Sequence, residues 1–276
     1  MNRYLKLVNF EFTRFLNLYL VLMGITIVSQ LVGMIYESRK YMGRANEQIY
    51  KELLPVSDFL DSYGEMSFVH YSQTIWFMGP VVVCGIVLMI YVFFIWYRDW
   101  LGKNTFSYRL LVLPTERINI YLAKATAILL FVLGFIALQL LLIPVESQIL
   151  KWMIPNEFRM DLSINEITSI YFLAILFPKS FIEFILYYGT GMAAVFIAFT
   201  AIMFERSYRL KGILYAILYI AVAAFVFLAP LLVNAFILED YFYTHELFFM
   251  ELGTGLLVLA GTIWTGNFLI KNKIRV

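Results

Sequence analysis

Charge is scarce in this chain: only 14% of its 276 residues are Asp, Glu, Lys or Arg. A soluble domain carries nearer a quarter. There is one cysteine, Cys84, inside an apolar stretch. A lone cysteine forms neither an internal disulfide nor a cysteine metal cluster, and this one reads as apolar filler. The only histidines are His70 and His245, so no His-Glu-x-x-His zinc motif is present. No Gly-x-Ser-x-Gly elbow is present. A P-loop needs Gly-x-x-x-x-Gly-Lys-Ser/Thr, because backbone N–H groups and the lysine together cradle the phosphates. The one Gly-Lys pair, Gly102-Lys103, is followed by Asn104 and lacks the earlier glycine. The chain is therefore expected to carry no catalytic site, no metal and no cofactor of its own. Asp58 and Asp61 read as a solvated helix face rather than a magnesium site. No basic patch interleaved with aromatics stands outside the apolar runs, which argues against nucleic acid as a partner.

What is abundant is apolar side chain: 62% of residues are hydrophobic and 18% aromatic. One soluble core of this size cannot hide so much apolar surface, so lipid is its natural solvent. Tyr and Trp also settle at membrane interfaces. Six runs approach the roughly 20 residues a helix needs to cross a bilayer. They cover 18–36, 74–97, 118–143, 181–204, 212–233 and 253–270. The fold class expected is an all-α integral membrane protein with six transmembrane helices, as one domain over 1–276. The first run follows Arg3, Lys6 and Arg14, as in a secretory signal. It is longer than a signal's apolar stretch and no small-x-small cleavage site follows, so it reads as an uncleaved span.

A seventh run, 167–177, ends at Pro178 and is too short to span. It is expected to be an interfacial or re-entrant helix. Ser163 and Glu166 have capping-box spacing, and Leu162 and Ile167 the spacing of a hydrophobic staple. The hydrophilic stretch 37–73 is expected outside, with a short helix over 46–60. Residues 1–16 form an amphipathic pattern, with Tyr4, Leu5, Val8, Phe12, Phe15 and Leu16 on one side. Such a helix is expected to lie in the cytoplasmic interface with its basic groups toward lipid phosphates, membrane lipids thus being one partner.

Lys and Arg set the expected direction. With both termini cytoplasmic, the inner pieces are the N-terminal segment, 98–124, 205–211 and the tail. These hold 14 of the 21 basic residues and four of the 19 acids. The positive-inside rule favours this threading two to one. Within the spans, Gln30, Gln139, Thr190 and Asn234 are candidate contacts along a substrate path. Each could equally bond a neighbouring helix. The spans lack a chain of central Asp, Glu or His, which weighs against proton-coupled transport.

The inner connection at 98–117 is the most informative segment. Arg98-Asp99 end a span, Thr105 opens a short apolar helix with Tyr108, Arg109, Leu110, Leu111 and Leu113, and Pro114 breaks it. Arg117 and Lys124 begin the next span. The leucines suit lipid headgroups or a groove in another protein. This order resembles the membrane subunits of ABC-2 type ATP-binding-cassette exporters. Their loop reads acidic residue, Gly-Thr, Leu-Leu, x-Pro, x-x-Arg and a later Lys. Here those places are Asp99, Asn104-Thr105, Leu110-Leu111, Leu113-Pro114, Arg117 and Lys124, with Asn104 replacing the glycine. The layout of the whole chain is also similar to that family. The resemblance implies a coupling helix at 105–114 that enters a cleft of a separate ATPase subunit, which binds ATP and magnesium. It also implies a second membrane subunit, identical or related, a plasma-membrane location, and a short re-entrant or interfacial helix over 230–251. Export of a peptide, lipid or drug-like molecule would follow. The alternative is a membrane anchor that binds a partner without pumping.

Overall fold

The structure, a computed structural model, describes residues 3–100, 116–238 and 241–274. It is helical almost throughout. Six helices are long and apolar enough to cross a membrane: α1 (Arg3–Asn46), α4 (Ile75–Trp100), α5 (Arg117–Met153), α8 (Phe181–Tyr208), α9 (Leu210–Phe236) and α10 (Thr244–Asn272). Between them lie the short helices α2 (Val56–Tyr63), α3 (Phe68–Ser72), α6 (Ile164–Thr168) and α7 (Tyr171–Leu176). Two-residue strands β1 (Met66–Ser67) and β2 (Arg159–Met160) pair in parallel, Met66 opposite Arg159.

The first helix corrects the expectation of a separate interfacial helix at 1–16. It runs unbroken for 44 residues, a length of about 66 Å at 1.5 Å per residue. Its buried stripe continues through the supposed boundary: Val8, Glu11, Phe15, Tyr19, Leu22, Thr26, Gln30, Met34 and Ser38 are all buried. The steps are three or four residues, the spacing of one helix face. Leu5, assigned by pattern to the apolar side, is exposed, and Glu11 is buried instead. The hydrophobic pattern identified an amphipathic helix but put its inner face one turn-step away, because a buried carboxylate is invisible to hydropathy.

Three shorter expectations are also corrected. The helix over 46–60 is instead a π-helical turn, Glu47–Lys51, and then α2 from Val56. Pro55 explains the break, since it disfavours helical backbone in the residue before it. Helix 167–177 is two helices, α6 and α7, parted at Ser169-Ile170. Thr168 Oγ1 donates back to Ile164 O at 3.0 Å and Ser169 Oγ donates to Asn165 O. Such hydroxyl back-bonding competes with the helical ladder. The re-entrant segment over 230–251 is absent among the described residues. α9 passes through Pro230 to Phe236, and Asn234 Oδ1 accepts from Phe242 N at 3.0 Å, tying the turn toward α10.

The chain divides into two compact units. One comprises Met1–Arg14, Leu88–Leu130 and Ser180–Val276. In it α8, α9 and α10 pack together around an aromatic nucleus. Tyr121 is fully buried, stacked on Phe196 and edge-on to Phe199, with Trp96 beside both. Its hydroxyl donates to Phe196 O at 3.0 Å, and neighbouring Thr200 Oγ1 donates to Thr262 O at 3.1 Å. Gly266 lets α10 close onto that ring, where a Cβ would lie 3.0 Å from it.

The other unit comprises Phe15–Val87 and Phe131–Lys179. Its core is Met34 of α1, Phe68 and Tyr71 of α3, Phe77 of α4, Ile143 and Leu150 of α5, Ile167 of α6 and Leu173 of α7. The capping box is present: Ser163 N donates to Glu166 Oε2 at 2.7 Å and Glu166 N donates to Ser163 Oγ at 3.3 Å. Leu162 packs on the core that contains Ile167. The short helices are thus held by the apolar residues they place inward.

Candidate functional site

Five charged side chains converge in the first unit. Lys124, about two turns into α5, has a side chain 1% exposed. Its ammonium donates to Glu11 Oε1 of α1 at 2.7 Å, to Asp99 Oδ2 of α4 at 2.5 Å and to Ile95 O at 2.9 Å. A lysine has three donors, and all three are used. Glu11 and Asp99 are each 3% exposed in their side chains. Their remaining oxygens face arginines. Arg14 Nη1 donates to Asp99 Oδ1 at 2.7 Å, and Arg98 Nη2 donates to Glu11 Oε2 at 3.0 Å. Three cations thus enclose two anions. Aromatic faces complete the shell, with Lys124 Nζ 5.1 Å from the Trp96 ring and the Arg98 guanidinium 5.8 Å from Tyr91.

Local sequence explains the convergence. Glu11 lies three residues from Val8 and four from Phe15, so the stripe that buries them buries it too. Arg98 and Asp99 sit at the end of α4, and the helix turn aims Asp99 and Ile95 the same way, four residues apart. Taking each ion from water costs several kcal/mol, and only dense, well-aimed pairing offsets that cost. The arrangement is therefore a register lock for α1, α4 and α5. With the carboxylates and the ammonium already committed, it offers no spare base or nucleophile. Among the described residues, no group of three or more His, Cys, Asp or Glu could hold a metal ion.

Two further contacts secure the same end of the unit. Arg117 Nη1 donates to Ile270 O at 2.9 Å and approaches Lys271 O at 3.4 Å. It sits where the last carbonyls of α10 are otherwise unpaired, and its charge complements the helix dipole. Tyr97 donates to Glu205 of α8, and the Arg206 guanidinium lies 4.8 Å from the Tyr97 ring and 4.9 Å from Trp100. Both roots of segment 101–115 are thereby tied to neighbouring helices.

The sequence-selected residues fall out unevenly. Arg98 and Asp99 belong to the ion cluster, and Lys124 is its centre. Arg117 serves the end of α10 instead. Thr105, Tyr108, Arg109, Leu110, Leu111, Leu113 and Pro114 lie outside the described residues. Gln30 is buried, with Nε2 donating to Phe77 O at 3.3 Å. Gln139 is buried, Thr190 is exposed, and Asn234 is the turn-tying residue on α9. Gln30 and Gln139 belong to one unit, and Thr190 and Asn234 to the other. Glu11 and Arg14 were missed as site residues. The available signal was a single acid at 3–4 spacing from apolar neighbours in an otherwise basic segment.

Fold and site define a multi-pass α-helical membrane protein with six candidate spans. The chain matches no family model, no curated protein and no solved structure.

Proposed function

We propose that the chain is the membrane-spanning subunit of an ATP-driven exporter of the ABC-2 type, resident in the plasma membrane with both termini cytoplasmic. Two such subunits, identical or related, would each clasp a separate ATPase that binds ATP and magnesium. The cargo class is a peptide, a lipid or a drug-like molecule.

One observation carries the reading. Segment 98–117 has the order of residues of a coupling loop, and its two roots are pinned by charge. Asp99 is bonded to Lys124 and Arg14, and Arg117 to the end of α10. A push on a segment so anchored is delivered to helices rather than absorbed at their ends. Closure of the paired ATPases would press on 105–114. The Asp99–Lys124–Glu11 contact would then move α4, α5 and α1 as one. Such a device shifts a conformational balance only as far as its contacts differ between the states.

The test is direct. The full chain expressed with its partners is expected to co-purify with a separate protein bearing a Walker motif. Changing Leu110 and Leu111 together to Asp should abolish substrate-stimulated ATPase activity and transport while membrane insertion stays normal. Persistence of both activities, or purification without any ATPase, would overturn the assignment and favour an anchoring role.

A further inference from the structure

The second unit contains a fully buried carboxyl that nothing proposed so far employs. Glu146, on α5, is 0% exposed, and neither of its side-chain oxygens has a hydrogen-bond partner among the described residues. It lies on the stripe Gln139, Ile143, Glu146, Leu150, all buried. Ile143 and Leu150 belong to the core that also holds Met34, Tyr71 and Phe77. The same unit contains two more orphaned acceptors, Gln139 Oε1 and Gln30 Oε1. Gln30 is held there from both sides: Nε2 donates to Phe77 O, and its backbone carbonyl accepts from the Tyr71 hydroxyl at 2.5 Å. The Tyr71 hydroxyl also feels the carboxyl's charge. Burial, together with the Glu146 and Glu37 carboxyls, pushes its hydroxyl up from the ordinary tyrosine value.

Both unsatisfied atoms of Glu146 are acceptors, so what the carboxyl lacks is a donor or a cation. Water would supply donors but not charge, and an isolated carboxylate in an apolar core costs far more than a missing hydrogen bond. Three cations of the same unit are engaged with other acids. Lys40 pairs with Glu37 at 3.4 Å, while Lys151 and Arg159 both reach Asp161, at 4.0 and 3.0 Å. His70, on α3, is exposed. Glu37 and Tyr71 add no positive charge.

We propose that Glu146 is a binding site for one small positive charge, a proton or an alkali-metal ion, inside this unit. The site is independent of the ATPase-coupling reading and stands or falls separately. A native state that binds a cation more tightly than the unfolded chain is stabilised as that cation's concentration rises.

The experiment follows thermal unfolding of the full chain in detergent micelles. One series replaces N-methylglucamine chloride by sodium or potassium chloride at constant ionic strength and pH 8. The other lowers pH from about 8 to about 5.5 in N-methylglucamine alone. The wild-type Tm is expected to rise by at least about 3 °C in one series, a clear shift for a chain of this size. A rise in the first series identifies an alkali-metal ion, and a rise in the second a proton. Glu146→Gln, a neutral replacement of the same shape, should fold, be at least as stable as the unliganded wild type, and lose the response. A wild type flat in both series, or a Glu146→Gln protein that follows the wild type, overturns the proposal.

Discussion

At the scale of single residues, Lys124 is the side chain on which most depends. It donates to buried carboxylates from two other helices, each of which keeps one further arginine. Lys124→Met is expected to destabilise the protein by about 3–5 kcal/mol, the cost of breaking a buried charge network by removing one member. Combining it with Glu11→Gln and Asp99→Asn should recover part of that loss, because Arg14 and Arg98, the charges then left, are partly exposed to solvent. Thermal unfolding of the single and triple variants in detergent decides it. A smaller effect resides at Glu166. The Ser163 backbone N–H and hydroxyl hold its carboxylate below the usual range. A depressed carboxyl contributes stability above its ordinary pKa and loses it as pH falls through the depressed value. Protection of the α6 amides, corrected for intrinsic exchange, should therefore decline on acidification; Ser163→Ala should weaken that dependence and Glu166→Gln remove it.

At the scale of elements, the ends of helices are where side-chain chemistry is most exposed to test. Arg117 caps the last carbonyls of α10 from the start of α5. Arg117→Ala is expected to cost about 1.5–3 kcal/mol, typical for hydrogen bonds to a charged group. Hydrogen exchange should quicken at 269–274 and leave α9 unchanged. The α8–α9 hairpin turns at Arg209, whose φ is 55°, and α9 then passes so close that a Cβ at Gly212 would sit 2.2 Å from Phe204 O. Gly212→Ala must push the hairpin apart, at about 1–3 kcal/mol. A lowered Tm with unchanged membrane insertion is the expected result. These close approaches could not be read from the sequence, since a glycine near a helix start looks the same whether or not a neighbour occupies its side. The capping box at Ser163 was legible, because its residues lie three apart in one turn.

At the scale of the whole molecule, threading through the bilayer is the claim most open to measurement. Segments rich in Lys and Arg are expected on the cytoplasmic side. A cysteine placed at Lys273 in a Cys84→Ser background should react with an impermeant maleimide only after the membrane is opened, and one placed at Tyr50 should react in intact cells. Reversal of both would invert the topology and remove the coupling loop from reach of a cytosolic ATPase. The same threading would put 101–115 on the cytoplasmic side, where the proposed ATPase would lie. The roots of that segment are already held by Asp99 and Arg117, so the ion cluster and the proposed function share one physical basis.

The sequence by itself determined that the chain is helical, that six stretches are long and apolar enough to cross a bilayer, and where its short capped helix begins. Those properties are local: they depend on composition and spacing within about one to six turns. Tertiary structure alone decided that Glu11, Arg14, Arg98, Asp99 and Lys124 meet, that residues 3–16 continue into the first span, and that Glu146 is enclosed without a hydrogen-bond partner among the described residues. Hydropathy registers a charged residue only as a cost. Whether that cost is offset by an opposing charge, or left standing, depends on residues as far as 113 positions away.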